Sequence, residues 1–496
     1  MRAGLILLCL LPEVALAAGP TIRGRVRYQG PAPTPAQVDP SVNPDVCGRK
    51  KPILSEQLVV GPEGALANVA VVLVGITERA PTRTPAQLTQ RNCVFVPHIQ
   101  TITAGSTIQI SNDDPVVHNV HARLAGETLF NLGMPLAGTR LNRRLDRPGV
   151  VELSCDSGHV WMQASLIVVP HSYHATTPAD GWFVIPDVTP GRYRLRAWHE
   201  RLGVQEVEVV VEPERGAEVE IVFAAGPLLE EAPVLSFDLP ATAVAPGPES
   251  EGEGAVELHP SGRTDRWPAE RDAARAAGLG LYRQHCATCH GEAGDGAGES
   301  VPFLHDRPRN FTRGEFKFRS TRSGDLPTIE DLVRTLTVGI PGTEMPSFRR
   351  VLPPRDRAIL ARYVMSYSDR FARGPGVSIP IPEAPPSTPA LIAQGQKTWV
   401  RLKCAQCHGQ GGEADGVSKQ MVDDFGHAIT APDLTRGIYK SGPEPKDLYR
   451  TLVTGLSGTP MPAFAELLGP DQLWALVHYL RSLAPPRPVS DLLGLP

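Results

Sequence analysis

Short segments in which apolar and polar residues alternate dominate the chain up to about Phe223. They are rich in Val and Ile and are bounded by Gly, Pro, Asn and Asp, a pattern typical of the strands of a β-sandwich. Asp180-Gly181 and Pro190-Gly191 supply turn residues between such segments. The pattern predicts strands over residues 21–28, 68–76, 101–111, 149–154, 163–169, 192–198 and 205–211.

The period of the apolar pattern changes in the C-terminal half, where helical spacing replaces alternation. Apolar side chains line one face of a predicted helix between Ile359 and Tyr367, and again between Leu473 and Leu483. Each helix closes one copy of an internal repeat, and the motifs follow in the same order in both copies. The paired motifs are Cys286-Ala287-Thr288-Cys289-His290 with Cys404-Ala405-Gln406-Cys407-His408, Phe311-Thr312-Arg313-Gly314 with Leu434-Thr435-Arg436-Gly437, and Gly342-Thr343-Glu344-Met345-Pro346 with Gly458-Thr459-Pro460-Met461-Pro462.

Two other stretches have the composition of connections. Residues 225–268 are rich in Pro, Gly and Glu and contain few side chains able to form a core, so we expect a solvated acidic linker there. Residues 373–389 are rich in proline and are predicted to connect the two repeats.

Length and composition set the broad class. A chain of 496 residues is too long for one core, and its 41% apolar and 21% charged residues lie in the globular range. A net charge of −4 argues against a large basic surface, so no nucleic-acid partner is expected.

The first 17 residues have the features of an export signal, with Arg2, a short apolar run and the small-residue site Ala15-Leu16-Ala17. The run is far shorter than the ~20 residues that span a bilayer, and no later stretch is apolar enough. We therefore expect cleavage, which would also remove Cys9. The mature protein is predicted to be periplasmic or otherwise exported and not membrane-spanning, in a compartment where disulfides persist.

The Cys-x-x-Cys-His motif has the spacing for covalent haem attachment. Its two thiols can add to the two vinyl groups of one haem, and the adjacent histidine is then held as an axial iron ligand. A zinc site would need four neighbouring ligands, and a redox dithiol needs no following histidine. Two copies predict two haems c, attached at Cys286, Cys289, Cys404 and Cys407, with His290 and His408 as iron ligands.

The sixth iron position decides between an electron carrier and a catalyst, because an open iron can bind a small substrate. Met345 and Met461 occupy equivalent loops, each followed by a proline that stiffens the chain, and are the predicted ligands. Met365 is expected to fill the core of its helix. His305 and His427 are weaker alternatives, because each lies in a segment that the other copy does not match.

Residues 269–372 and 390–485 each resemble a class I cytochrome c domain. The resemblance rests on the Cys-x-x-Cys-His motif, the methionine loop and the final amphipathic helix, which both copies share. It implies an all-α fold and a haem crevice with one exposed edge, through which electrons enter and leave.

Three cysteines remain, Cys47, Cys93 and Cys155, and an odd number leaves at least one unpaired or otherwise engaged. Cys155 is followed closely by His159 and Met162, and the edge of an earlier strand offers His118. One thiolate, two imidazoles and a weak thioether form the ligand set of a blue-copper centre. His121 is an alternative to His118, but an odd separation along a strand puts the two on opposite faces. His98 is expected to be an ordinary hydrogen-bonded histidine.

Residues 93–170 resemble cupredoxins of the plastocyanin and amicyanin kind. The similarity lies in His118-Asn119-Val120 followed by the Cys155, His159 and Met162 loop, whose first interval is one residue longer than in amicyanin. It implies copper ligation by His118, Cys155, His159 and Met162. Cys47 and Cys93 would then form a disulfide; the alternative is that Cys155 pairs with one of them and no copper binds.

The segments that flank this domain resemble the small transthyretin-like sandwich of carboxypeptidase regulatory domains. The similarity rests on residues 177–183, which include Asp180-Gly181, and on Pro190-Gly191-Arg192-Tyr193. It implies a structural or docking role, because nothing there assembles a nucleophile, a base and an orienting group.

These inferences predict an N-terminal all-β half with cupredoxin-like and transthyretin-like sandwiches, and a C-terminal half of two all-α cytochrome c domains. The expected function is single-electron relay between copper and two haems, with a redox protein as donor and another as acceptor. The alternatives are a haem or copper oxidoreductase, such as a peroxidase or small-molecule dehydrogenase, and a cytochrome subunit docked on a membrane respiratory complex through a copper-free β module. The expected divisions are 1–17, 18–92, 93–170, 171–224, 225–268, 269–372, 373–389, 390–485 and a tail over 486–496.

Overall fold

The structure is a computed structural model that describes residues 19–76, 85–235, 237, 267–416 and 421–484. The predicted export signal over 1–17, most of the predicted linker over 225–268 and the predicted tail over 486–496 lie outside the described residues.

In the described part of the N-terminal half, the regular elements are strands and one 3-10 turn at Pro62–Gly64. The strands are β1 Ile22–Gln29, β2 Gln37–Val38, β3 Ile53–Leu54, β4 Ala70–Val74, β5 Ala86–Arg91, β6 Val94–Val96, β7 Ile99–Thr103, β8 Ser106–Asn112, β9 His118–Leu124, β10 Glu127–Met134, β11 Arg140–Leu145, β12 Gly149–Ser154, β13 Gln163–Val169, β14 His174–Thr176, β15 Trp182–Ile185, β16 Gly191–His199, β17 Gly203–Val211 and β18 Ala217–Ala224.

Two β-sandwiches lie side by side in this half. One has sheets β15-β1-β18 and β14-β4-β16-β17 around a core that includes Val26, Leu73 and Phe223. The other has sheets β10-β9-β12-β13-β7 and β11-β8-β5-β6 around a core that includes Phe95 and Val120. Because apolar and polar residues alternate along the strands at the surface, one face of each of these strands packs against a core.

A third apolar layer joins the two sandwiches. Val72 from β4, Ile167 from β13 and Trp198 from β16 are buried in it at about 0–1% exposure. Strands β4 and β13 are thus buried on both faces, which explains the continuous apolar runs over residues 70–74 and 166–169.

The first part of the predicted linker belongs to this layer, which corrects the expectation of a solvated spacer from residue 225. Leu235 is only 5% exposed, and Ala232 and Phe237 pack beside it. The Trp198 indole N–H donates to the Pro233 carbonyl at 2.7 Å. A few apolar residues within a polar, proline-rich composition are enough to dock this segment.

Two predicted boundaries in the β half also change. The predicted strand over 101–111 is two strands, β7 and β8, separated by Ala104 and Gly105, which has a φ of +80°. The predicted domain start at residue 93 falls inside the β5–β6 hairpin, so the cupredoxin-like sandwich begins at least at Ala86.

The C-terminal half is helical, as expected. Its helices are α1 Trp267–His285, α2 Ala287–His290, α3 Ile329–Val338, α4 Pro354–Met365, α5 Pro389–Arg401, α6 Ala405–His408, α7 Pro445–Thr454 and α8 Pro470–Ser482, with 3-10 turns at Val301–Phe303, Asp369–Arg373 and Leu434–Arg436 and a small ribbon of β19 Met421–Val422 and β20 Ala428–Ile429. In each repeat the first helix packs against the last one, α1 on α4 and α5 on α8.

The connector between the repeats is docked rather than free. The Ile379 N–H donates to the Ser320 carbonyl at 2.7 Å, and Ile379 and Ile381 pack against the core of the second repeat. The His478 side chain bonds to the Pro385 carbonyl at 3.1 Å. Within the described residues, no helix is both long and apolar enough to cross a bilayer.

Candidate copper centre and haem-binding motifs

Three potential metal ligands converge between β9 and the β12–β13 loop. His118 begins β9, Cys155 follows β12, and His159 lies four residues later in the same loop. The Cys155 Sγ is 3.8 Å from the His118 Nδ1 and 3.7 Å from the His159 Nδ1, and the two Nδ1 atoms are 3.3 Å apart. The two imidazoles are fully buried and Cys155 is 3% exposed.

Backbone hydrogen bonds close the loop that carries these ligands. The Cys155 N–H donates to the Met162 carbonyl at 3.3 Å, and the Met162 N–H donates to the His159 carbonyl at 2.9 Å. The Asn119 Oδ1 accepts from the backbone N–H groups of Asp156 and Ser157 at 2.6 and 3.1 Å. Met162, the predicted axial ligand, is 1% exposed within this loop.

The outer nitrogens of both histidines are engaged. The His118 Nε2 lies 3.1 Å from the Asp114 Oδ2, and the His159 Nε2 lies 3.1 Å from the Asn43 Oδ1. Each Nε2 is held by an oxygen, which turns each Nδ1 towards the thiol. This is how the outer partners of metal-bound histidines fix the tautomer and the ring orientation.

The electrostatics of the cluster favour a thiolate. Burial alone would raise the pKa of Cys155, but hydrogen bonds from His118 and His159 outweigh it and lower the pKa to about 6. Burial opposes the charge on His118 as well, yet Asp114 and Cys155 raise its pKa to about 9. A deprotonated sulfur is the form that binds metal.

The donor set of one thiolate and two imidazoles in a closed site suits copper. Cys47 and Cys93 are joined in a disulfide with Cα atoms 5.2 Å apart, so their sulfurs are not available to a metal and Cys155 is a free thiol. Among the residues that the structure describes, two other groups of side chains could hold an ion, but both include Cys47 or Cys93, whose sulfurs are in the disulfide.

The alternative histidines have other partners. The His121 Nδ1 lies 2.6 Å from the Asp156 Oδ2 and its Nε2 lies 2.8 Å from the Thr128 hydroxyl, away from the three converging ligands. His98 bonds to the Gln163 carbonyl at 3.1 Å and to Glu200 at 2.5 Å, as an ordinary satisfied histidine would.

The Cys-x-x-Cys-His motifs form short helices, α2 and α6, directly after the first helix of each repeat. The His290 Nδ1–H donates to the Arg309 carbonyl at 3.1 Å, which leaves Nε2 for an iron atom. The His408 Nδ1 is buried without a partner among the described residues, and burial lowers the pKa of this imidazole to about 4. Neutral imidazoles are the form that ligates iron, so both histidines fit a haem.

The methionine loops have the same hydrogen bonds in both repeats. The Met345 N–H donates to the Thr343 hydroxyl at 3.2 Å, and the Met461 N–H donates to the Thr459 hydroxyl at 3.3 Å. Both methionines are partly buried against the core of their domain, while Met365 is 8% exposed inside it. The repeated geometry fits a role for Met345 and Met461 that Met365 does not share.

The histidine alternatives to these methionines point elsewhere. The His305 side chain is 90% exposed. His427 is 46% exposed and lies 3.6 Å from Asp423.

Several residues that shape the sites were not predicted from the sequence. Asp114 carried a usable signal, because it lies four residues before His118 in an Asp-Asp-Pro turn. Asn43 is distant in sequence and had none. The same holds for Arg123 and Asp424, which meet at 2.6 Å beside the loop that carries Cys155 and His159, although they belong to different halves of the chain.

Two helical domains, each with a Cys-x-x-Cys-His helix and a methionine loop, define tandem cytochrome c domains joined to an all-β region. Residues 273–364 and 390–480 match the family model described as cytochrome c oxidase, cbb3-type, subunit III. The C-terminal half is therefore a tandem of cytochrome c domains that are similar to this family.

Curated relatives are subunits of that oxidase. The cbb3-type cytochrome c oxidase subunit FixP of Sinorhizobium medicae is 28% identical over 217 residues, which is 44% of this chain and 63% of that protein. The CcoP subunit of Azospirillum brasilense is 26% identical over 42% of this chain and 62% of its own length. The chain thus spans less than two thirds of these relatives.

One solved structure that is similar belongs to a reducing HAO-like protein complex of Kuenenia stuttgartiensis. It is 40% identical over 42% of this chain and 96% of that chain, with a TM-score of 0.41.

Proposed function

We propose that this protein is an exported electron-transfer protein that passes single electrons between a type 1 copper centre in its cupredoxin-like sandwich and two haems c in its tandem cytochrome domains. The haems would be attached through Cys286, Cys289, Cys404 and Cys407. The copper would be held by His118, Cys155, His159 and Met162.

The observation that carries the proposal is the convergence of one thiol and two imidazoles in a buried site. The distances of 3.3 to 3.8 Å among the Cys155 Sγ and the two Nδ1 atoms leave the ligands aimed at one point. Bound there, copper would alternate between two oxidation states with little rearrangement of its ligands. The chain's own contribution is to bury the site and to fix both tautomers through Asp114 and Asn43.

Electron transfer is favoured over catalysis because each haem motif has an imidazole and a methionine loop at equivalent positions. An iron ligated from both sides can change its charge but has no open position for a substrate. The expected partners are a donor protein and an acceptor protein. The relatives are oxidase subunits by name, which makes a membrane respiratory complex the favoured docking partner.

The test of the copper centre is optical and paramagnetic spectroscopy on purified, copper-replete protein that carries both haems. The oxidised protein is expected to show a strong thiolate-to-copper visible band and a blue-copper paramagnetic signal, with metal analysis giving one copper per chain. Both signals should vanish in Cys155→Ser while the haem spectrum is unchanged. A wild-type protein that contains copper but lacks these signals would contradict a type 1 centre.

The electron-carrier assignment has its own test. Ferrous protein at neutral pH is expected not to bind carbon monoxide, because both iron positions are filled. Ready carbon monoxide binding at either haem would instead favour an oxidoreductase such as a peroxidase. The signals of Cys155 and of the two irons are independent, so one assignment can fail without the other.

A further inference from the structure

We propose that the loop over residues 155–162, called the copper loop below, exchanges electrons directly with the second haem motif, across a contact between Ser157 and Gln406, so that the order of the centres is copper, second haem, first haem. This inference rests on the proposed function, because it assumes that copper and haem are bound. It adds a specific route for electrons within the chain, which the geometry of either centre by itself does not indicate.

The contact joins two ligand segments. The Gln406 Nε2 donates to the Ser157 carbonyl at 3.4 Å. Ser157 lies midway between Cys155 and His159, and Gln406 lies between the two cysteines of the second haem motif. With about 3.8 Å between consecutive Cα atoms, one hydrogen bond and at most two residues on each side separate the ligands of the two centres.

One further contact brings the same segments together. Lys403, which directly precedes the second haem motif, donates its Nζ to the Pro115 carbonyl, three residues before His118.

The interface around this contact is held on several sides. Arg123 of β9 pairs with Asp424 of the second repeat at 2.6 Å, and the Thr128 hydroxyl donates to the same carboxylate at 3.3 Å. Asp424 is 5% exposed there. The methionine loop also takes part, because the Ala463 N–H donates to the Asn131 carbonyl at 3.1 Å and the Asn131 side chain donates to the Thr459 carbonyl at 3.3 Å. Both ligand segments of the second haem thus abut the cupredoxin-like sandwich.

The first haem motif is connected to the copper loop indirectly, through the second repeat. The Arg309 carbonyl accepts from His290, and the Arg309 guanidinium lies 4.8 Å from the ring centroid of Phe425 in the second repeat. A Cβ on Gly458, in the second methionine loop, would lie 2.7 Å from the Arg309 Nη1. The first haem motif therefore contacts the second repeat through Arg309, while the second motif contacts the copper loop.

The transfer itself is balanced without another reactant. One electron leaves reduced copper as ferric iron in the second motif becomes ferrous, or the reverse, and no bond forms or breaks. Because electron tunnelling weakens steeply with distance, the short path through Ser157 and Gln406 should dominate exchange between copper and haem.

The experiment follows exchange between the copper band and the haem bands after rapid reduction of full-length protein by pulse radiolysis. Wild type is expected to show exchange at a rate independent of protein concentration. The double variant Cys286→Ser with Cys289→Ser, which lacks the first haem, should keep it. The double variant Cys404→Ser with Cys407→Ser should lose it, and its slow copper reduction should depend on protein concentration.

A milder pair of variants covers the case in which the haem-free domains do not fold. Gln406→Leu removes the donor and should slow the exchange by about tenfold. Thr288→Val changes the equivalent position of the first motif, where there is no copper loop, and should leave the rate unchanged. Relaxation of the Cu(II) paramagnetic signal by a ferric haem should persist in Gln406→Leu and vanish only when the second haem is missing.

The outcomes separate the two proposals. Protein without a blue-copper signal would overturn the copper centre itself. Protein with that signal, in which exchange survives loss of the second haem but not of the first, would overturn the proposed order alone. An unchanged rate in Gln406→Leu would remove the Ser157–Gln406 contact from the route.

Discussion

Asn43 and Asp114 each hold the outer nitrogen of one candidate copper ligand, and they do so in different ways. Asp114 is charged and close in sequence to His118, whereas Asn43 is neutral and reaches His159 from the β2–β3 connection. Asn43 has a φ of +53°, a conformation that asparagine tolerates better than most residues. Asparagine at this position therefore suits the backbone conformation and also provides the partner of the His159 imidazole.

The substitution Asn43→Gly should weaken copper binding by about 10- to 100-fold, because it frees the His159 ring without straining the backbone. The measurement is a competition titration against a copper chelator. Asn68→Gly is the matched control, since Asn68 has a φ of +60° but lies in the other sandwich. Equal losses in both variants would mean that the side chain of Asn43 does not act through the metal site.

Met345 offers a second test at the scale of one side chain. Replacing it with alanine should lower the reduction potential of the first haem, because thioether ligation raises the potential relative to stronger ligands. Spectroscopic redox titration would measure the shift, and Met365→Leu, inside the same domain core, should leave both potentials in place. An unchanged potential in Met345→Ala would remove the methionine from the iron.

His171 links pH to the stability of the β half. Its Nε2–H donates to the Leu73 carbonyl at 3.0 Å, and its Nδ1 accepts from the Tyr173 N–H at 3.2 Å. Burial lowers the pKa of His171 to about 4 from an ordinary 6.5. The unfolded chain thus binds a proton between these values while the folded chain does not, so stability falls as the pH drops from about 6.5 towards 4.

Between pH 7 and pH 5, protonation of His171 in the unfolded chain should lower the free energy of unfolding of the wild type by about 1–2 kcal/mol. The decrease in His171→Gln should be smaller by the same amount. Denaturant unfolding of the β half at the two pH values would measure the difference. His305→Gln, whose parent side chain is 90% exposed, should retain the wild-type dependence. The assignment would be wrong if both variants behaved alike.

At the scale of elements, the two cytochrome domains depend on one close helix crossing each. A Cβ on Gly278 in α1 would lie 2.6 Å from the Cβ of Tyr363 in α4. A Cβ on Gly395 in α5 would lie 2.0 Å from the Ala475 carbonyl oxygen in α8. Each glycine lowers the stability of its helix by about 1 kcal/mol, but it allows the first and last helices to approach closely.

Gly278→Ala should destabilise the first cytochrome domain by about 1–3 kcal/mol, because the added methyl group overpacks the crossing. Gly280→Ala in the same helix should instead stabilise it by about 0.5–1 kcal/mol, since nothing lies within 4 Å of the new Cβ and alanine favours the helix. Thermal unfolding of both variants tests the pair. Destabilisation by Gly280→Ala would show that helix propensity does not decide this position.

The elements show where a sequence pattern suffices and where it fails. Strands β12 and β13 were predicted with the observed bounds, because both are short, rich in Val or Leu and bounded by turn residues. The predicted strand over 101–111 merged two strands, because the turn between them consists of only two small residues, Ala104 and Gly105, and alternation continues on both sides of it. The docking of Leu235 was missed, because only tertiary packing distinguishes it from a linker residue.

The residues of the candidate copper site also differ in how far the sequence could predict them. His118, Cys155, His159 and Met162 lie in two short segments, so spacing alone could nominate them. Asn43 and the Arg123–Asp424 pair come together only through the tertiary fold, and no local pattern marks them.

At the scale of the whole molecule, the two repeats and the cupredoxin-like sandwich meet one another through charged side chains that are largely withdrawn from water. Glu127 in β10 accepts from Arg370 of the first repeat at 2.8 Å, and Arg123 pairs with Asp424 of the second. Ion pairs of this kind specify an arrangement because an unpaired buried charge is costly. Fixed relative positions are what a defined electron route requires.

Asp447 in α7 gives the sharpest test of this coupling, because its buried carboxylate pairs with arginines from two domains. Arg334 of the first repeat lies 2.5 Å from its Oδ1, and Arg450 of its own helix lies 3.0 Å from the same atom. Arg334→Ala and Arg450→Ala each remove one partner, so both should cost about 1.5–3 kcal/mol. Only Arg334→Ala also cuts the link between the repeats, and calorimetry should then resolve two haem-domain transitions where the wild type and Arg450→Ala show one coupled transition. Two transitions in both variants, or in neither, would mean that this ion pair does not couple the two cytochrome domains.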